Sequence, residues 1–144
     1  MALRYTEAAR RAIGTAYKEA SILHHTHVDT GHVLLGYIRI HGDRMEPWLR
    51  NLGLTMDDVR DQILTCMAEH PENPDYSDKL EYSSGVEDAM RFANEEAKSR
   101  ASKVIDAEHL VLGLCLEGSE PAAMALAAVG INAESLRTAV YGGA

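Results

Sequence analysis

Cysteine, proline, aromatic side chains and positive charge are all scarce in this chain of 144 residues. The two cysteines, Cys66 and Cys115, are too few for a disulfide scaffold, and neither has a partner at metal-ligand spacing. Two free, buried thiols in a reducing compartment are expected, with a single Cys66–Cys115 disulfide as the alternative. Aromatics make up 6% of the residues and apolar types 46%, so the core must be built from Ala, Leu, Val, Ile and Met. That composition favours closely packed helices over a β-sandwich. With 14 basic against 22 acidic residues the formal charge is −8, and such a surface repels a phosphate backbone, which argues against a nucleic-acid partner. No apolar run approaches the roughly 20 residues that cross a bilayer. The opening Met1-Ala2-Leu3-Arg4 also lacks the apolar stretch of a signal peptide. No membrane partner and a cytoplasmic location are therefore expected.

What is present is a repeat. Slid against itself by 77 positions, the chain aligns without a gap: Tyr5-Thr6 falls on Tyr82-Ser83, Glu19-Ala20 on Glu96-Ala97, and Asp29 on Asp106. The match continues through His32 on His109, Leu35-Gly36 on Leu112-Gly113, Leu49 on Leu126, Gly53 on Gly130 and Arg60 on Arg137. Two copies of one supersecondary unit follow, over 4–69 and 81–141, with a linker over 70–80 whose Pro71 and Pro74 cannot continue a helix.

Within each copy the periodicity is helical. Ala9, Ala12, Ile13, Ala16, Tyr17, Ala20 and Leu23 recur at spacings of three and four, so they line one stripe of a helix over 6–25 capped by Thr6. Thr30 is expected to cap a second helix carrying Val33, Leu34, Tyr37 and Ile38 and ending at Gly42. A short third helix over 45–52 stops at Gly53, and Thr55-Met56-Asp57-Asp58 has the spacing of a capping box opening a fourth that buries Val59, Ile63 and Met67. The second copy restates this with Ser83, Ala107-Glu108, Gly130 and Asn132. The fold class expected is all-α, eight helices in two tandem four-helix repeats. An alanine stripe buries little area, so the two units should pack about a pseudo-twofold axis into one domain over 1–144.

Tyr5-Thr6-Glu7-Ala8-Ala9-Arg10-Arg11-Ala12, Glu19-Ala20 and Thr30-Gly31-His32-Val33-Leu34-Leu35-Gly36 together resemble the N-terminal repeat of Clp-type AAA+ unfoldases. The segment Ala107-Glu108-His109-Leu110-Val111-Leu112-Gly113-Leu114 is similar in the second copy. The resemblance spans nearly the whole chain. It implies a recognition domain that receives substrates and adaptors for an unfoldase and its peptidase, or a free-standing accessory of the same fold. Partners are then Clp subunits, adaptors or substrates. The chain has no Gly-x-x-x-x-Gly-Lys-Ser/Thr motif and no Gly-x-Ser-x-Gly elbow, so neither ATP hydrolysis nor serine-hydrolase chemistry is expected, and no cofactor.

The Clp C branch further implies phosphoarginine pockets, one per repeat, in which a glutamate takes the guanidinium while hydroxyls and helix-start amides take the phosphate. Carried over, the first would use Thr6, Thr30 and Gly31, where the acid is missing. The second would use Ser83, Ala107 and Glu108, where one hydroxyl is missing. The competing reading is that Thr6, Thr30 and Ser83 only cap helices and Glu108 only complements a helix dipole. A groove between repeats that takes a cyclic peptide is a further alternative. Trp48, the one tryptophan, is either a core anchor or an exposed contact for a partner. His24, His25, His27 and His32 are dense enough to hold a metal, but His32 pairs with His109 in the repeat, which favours structural histidines, and no metal is expected. The acidic stretch over 69–78 and Glu87, Asp88, Glu95 and Glu96 read as solvated surface.

Overall fold

In both copies the residues ahead of a helix are an extended dipeptide followed by a capping side chain, and this local pattern organises the whole chain. The structure, a computed structural model, describes residues 3–68 and 80–142. In chain order the elements are β1 (Arg4–Tyr5), α1 (Glu7–Ile22), β2 (His27–Val28), α2 (Thr30–Asn51) and α3 (Met56–Cys66), then β3 (Glu81–Tyr82), α4 (Ser84–Ser99), β4 (Val104–Ile105), α5 (Ala107–Glu117), α6 (Pro121–Ala128) and α7 (Ala133–Tyr141). Apart from Leu80, the linker expected over 70–80 lies outside the described residues, as does the acidic stretch over 69–78.

Two expectations are corrected. Among the described residues there are seven helices, not eight, because the second and third helices of the first copy run together as α2. The chain leaves helical geometry only at His41 (φ −126°, ψ 27°) and resumes. At the equivalent place in the second copy Gly118 adopts a left-handed φ of +82°, and Pro121 opens the next helix, so α5 and α6 separate and turn by 88°. Glycine adopts that conformation without the Cβ penalty a side chain carries. The purely helical expectation is also modified by the four two-residue strands.

Those strands pair in parallel across the two halves. Arg4 and Tyr5 pair with Val104 and Ile105, while His27 and Val28 pair with Glu81 and Tyr82. Under the 77-residue offset each pairing maps onto the other. Two further bonds continue the ladders, from the Thr6 amide to the Ile105 carbonyl at 3.0 Å and from the Ser83 amide to the Val28 carbonyl at 2.8 Å. The extended residues before one helix thus satisfy backbone groups before another.

Helix pairs α1 with α2 and α4 with α5 meet at glycine. A Cβ on Gly36 would lie 2.5 Å from the Ala12 carbonyl oxygen and 2.8 Å from the Ala16 nitrogen. One on Gly113 would run into the Ala89 carbonyl oxygen and lie 2.9 Å from the Ala93 nitrogen. Small residues on both sides let the backbones approach. Ala9, Ala12, Ala16 and Ala20 are completely buried, as are Leu34, Tyr37, Val59, Ile63, Leu112 and Leu126, and the buried apolar residues of both halves form one continuous cluster. Leu80, at the start of the second half, donates its amide to the Tyr17 hydroxyl at 2.8 Å.

Caps behave as expected at four places. Thr6 accepts from the Ala9 amide, Ser83 from Val86, Thr55 from Asp58 and Asn132 from Ser135. Thr30 is not a cap. The N-cap of α2 is Asp29 and that of α5 is Asp106, and both belong to capping boxes in which a histidine three residues on reaches back. Glu96 also departs from expectation: it is 5% exposed and paired with Arg137, not solvated, whereas Glu87, Asp88 and Glu95 are exposed.

Candidate functional site

Because the strands cross between halves, the helix N-termini meet in two junctions, each mixing the copies. In the first, α1 meets α5. The Thr6 hydroxyl donates to Asp106 Oδ1 at 2.9 Å while accepting from Ala9, and Asp106 Oδ1 also accepts from the Ala107 amide at 2.8 Å. Burial raises the Asp106 pKa, but the Ala107 amide, the Thr6 hydroxyl, Arg44 and His109 outweigh it, leaving the carboxyl below its ordinary range. Ala107 is completely buried. Beside it Glu108 accepts from Arg44 Nη1 at 2.9 Å and 3.2 Å through its two oxygens, and from the Tyr37 hydroxyl at 3.4 Å. Burial and Glu108 together push the Tyr37 phenol far up, so it stays a neutral donor.

In the second junction, α4 meets α2. Glu120 Oε1 accepts from the Ser83 hydroxyl at 2.8 Å and from the Thr30 amide at 3.2 Å, while Oε2 accepts from the Gly85 amide at 2.9 Å. Thr30 is completely buried, and its hydroxyl accepts from the Ala122 amide at 3.2 Å. The Gly31 amide donates to Asp29 Oδ1 at 2.8 Å, and a Cβ there would run into Met67.

Hydrogen bonds bring Thr6 to Asp106, next to Ala107 and Glu108, and bring Ser83 to Thr30 through the Glu120 carboxylate. Glu120 and Arg44 are the junction residues that sequence reasoning missed. They stand at adjacent positions of the repeat alignment, Asp43-Arg44 over Glu120-Pro121, a signal that was present but has no meaning until the corner after the second helix is seen to point at the junctions.

Trp48 is half-buried and stacks on Tyr37, with ring centroids 6.3 Å apart and planes at 19°. With Pro47, Asn51 and Leu52 it forms one wall of a groove of about 740 Å³, whose other wall is α7 through Glu134, Thr138 and Ala139. It thus anchors on the core with one side and faces the groove with another.

The two histidines equivalent under the repeat, His32 and His109, are capping groups. His32 Nδ1 accepts from the Asp29 amide and His109 Nδ1 from the Asp106 amide, both at 2.9 Å. Among the described residues no three His, Cys, Asp or Glu side chains gather at a metal-sized site. Cys66 and Cys115 are both free thiols, and burial pushes that of Cys115 up. Among the described residues no single helix is long and apolar enough to cross a membrane.

Paired helical units joined by exchanged two-residue strands make up the fold. The Clp repeat (R) N-terminal domain matches residues 4–129, and the chain belongs to that family. It is 30% identical over 134 residues to a probable ATP-dependent Clp protease ATP-binding subunit of Chlamydia pneumoniae, covering 93% of this chain and 16% of that protein. It is 27% identical over 137 residues to the negative regulator of genetic competence ClpC/MecB of Bacillus subtilis, covering 95% of this chain and again 16% of the relative. Among solved structures it superposes on the N-terminal domain of the chaperone ClpD of Arabidopsis thaliana with a TM-score of 0.74 at 26% identity, covering 97% of this chain and 94% of that one. The Hsp104 N-terminal domain of Candida albicans shares the fold, with a TM-score of 0.81 at 14% identity over 95% of this chain and 89% of that one. The chain thus spans about a sixth of the length of the relatives it matches.

Proposed function

We propose that this chain is a non-catalytic protein-interaction module of the Clp chaperone and protease system, docking substrates or adaptors for an AAA+ unfoldase in the cytoplasm. The observation that carries the reading is the Clp repeat match over 4–129 together with the ClpD-like fold. Its organisation is taken as two repeats, 4–69 and 81–141, related by a pseudo-twofold axis within one domain. The exchange of strand partners under the 77-residue offset supports that reading. The chain contains no Walker A motif, so any ATP-driven work belongs to a partner or to another segment. The test is a pull-down from native lysate with the tagged chain: recovery of a Clp unfoldase or peptidase subunit, an adaptor or a Clp substrate is expected, and recovery of none would sink the proposal.

A second reading, capture of a peptide such as a cyclic one in a groove, is favoured by the volume between α2 and α7 and by the Trp48 side facing it. Titration of candidate peptides followed by Trp48 fluorescence distinguishes the two, since a binder there shifts the emission and a partner docking elsewhere does not.

A further inference from the structure

The groove between α2 and α7 marks a place where the two halves of the chain differ. Under the 77-residue offset the second part of α2 falls on α6 and α7 falls on α3, with Trp48 over Ala125 and Glu134 over Asp57. Helix α6 packs directly on α3, and Ala125 is completely buried. Helix α2 touches α7 much less, and the space between them, about 740 Å³, is lined by Pro47, Trp48 and Leu52 on one side and by Glu134, Thr138 and Ala139 on the other. An indole is too large for a close crossing that a methyl group allows, so the helices stand apart and the ring lies along the opening.

The charges differ in the same way. In the first half Asp57 is paired with Arg60 at 3.1 Å. The counterpart of Arg60 is Arg137, which is turned to Glu96 at 2.9 Å, and Glu134 is left exposed, its carboxylate without an ion pair or hydrogen bond among the described residues. The arginines of α2 are also committed, Arg39 to Glu19, Arg44 to Glu108 and Arg50 to Glu46. Among the described residues that line the groove, Glu134 therefore carries the one charge, on walls that are otherwise aromatic, aliphatic or neutral polar. A lysine or arginine side chain matches each part of such a surface, because its methylene stem covers apolar area while its charge pairs with the carboxylate beside an aromatic ring. The formal charge of −8 draws a basic partner and repels an acidic one at longer range. We propose that the α2/α7 groove takes a basic side chain, lysine or arginine, presented between apolar residues by a partner protein, with Trp48 and Leu52 holding the stem and Glu134 the charge. This rests on groove capture, the second reading above, and gives the chemistry of what is captured.

Three synthetic pentapeptides that differ at the central position test it: acetyl-Ala-Leu-Lys-Leu-Ala-amide, the same peptide with Nε-acetyl-lysine, and the same peptide with glutamate. Titrations of the chain are read by the emission of Trp48, its one tryptophan, and by the Thr138 amide resonance. The lysine peptide is expected to move both signals and to bind about fivefold more tightly than either of the others, with the margin closing at high salt. Glu134→Gln should remove the difference between lysine and acetyl-lysine, and Glu134→Lys should reverse the order in favour of glutamate. Both variants alter an exposed side chain, so circular dichroism like that of wild type is expected, and should either unfold, the comparison of lysine with acetyl-lysine on wild type still decides. Equal binding of those two peptides to wild type, or a lysine preference that survives in folded Glu134→Gln, overturns the proposal while leaving groove capture standing. If no peptide moves the Trp48 signal, the proposal and groove capture fall together. Neither result alters the pull-down that tests Clp docking.

Discussion

Replacing Gly36 or Gly113 by alanine tests the helix crossings on which both halves are built. In an exposed helix the change should stabilise, because alanine exceeds glycine in helix propensity by up to about 1 kcal/mol. Here the added methyl would lie 2.5 Å from the Ala12 carbonyl oxygen in one case and run into the Ala89 carbonyl oxygen in the other. A backbone oxygen cannot swing aside as a side chain does, so the helices must separate, and overpacking of this kind costs about 1–3 kcal/mol. The net expected is a loss of about 1–2 kcal/mol at each site, larger at Gly113, whose clash is closer. Unfolding entropy for 144 residues is about 0.3 kcal/mol/K, so Tm should fall by about 3–6 °C. Gly14 supplies the control: it is exposed within α1 and a Cβ there meets nothing within 4 Å. Gly14→Ala should therefore raise Tm by about 2–3 °C. Differential scanning calorimetry on the three variants reads both signs at once. If all three stabilise equally, the close approach at the crossings is wrong.

Three other perturbations follow from the buried polar groups. Glu96 accepts from Arg137 and from the Tyr141 hydroxyl at 3.0 Å, and the Arg137 bonds hold its carboxyl below the usual range despite burial. The unfolded state then binds more protons in acid, so this stability is complete above about pH 4.3 and is lost as pH falls through the lower folded value. Glu96→Gln should cost about 1–2 kcal/mol, discounted because Arg137 is 37% exposed, and should flatten the acid limb of urea midpoint against pH. His109 is held by burial below its ordinary pKa, so its NMR titration should fall below about pH 6.5, the unfolded value, and a higher midpoint would contradict the geometry. Asp29→Ala removes the α2 cap and should cost about 1–2 kcal/mol in urea unfolding. Asp106→Ala should cost more, since it also strips the Thr6 hydroxyl of its acceptor.

Much of this was legible from local rules. Thr6, Ser83, Thr55 and Asn132 announce helix starts because a short polar side chain beside an apolar periodic run has one favourable use, accepting from an orphan amide. The alanine stripe of α1 and the Leu-Gly pairs likewise report close packing, since only small residues tolerate it. Thr30 misled because Asp29, one position earlier, is the stronger acceptor at a helix start and leaves Thr30 buried with Ala122. Glu96 misled because its exposure depends on Arg137, 41 residues away.

The repeat offset, the family resemblance and the helical periodicity are properties of the chain read along its length, so the sequence alone determined the class of fold and the equivalence of Thr6 with Ser83. Equivalence is not adjacency, however. Which helix start faces which, and which side chains fill the space between them, follows from the exchange of two-residue strands between the halves and from the turn at Gly118 that His41 does not make. Those contacts join residues 70 to 100 positions apart, where no local preference reaches and only packing of the two halves chooses the neighbour.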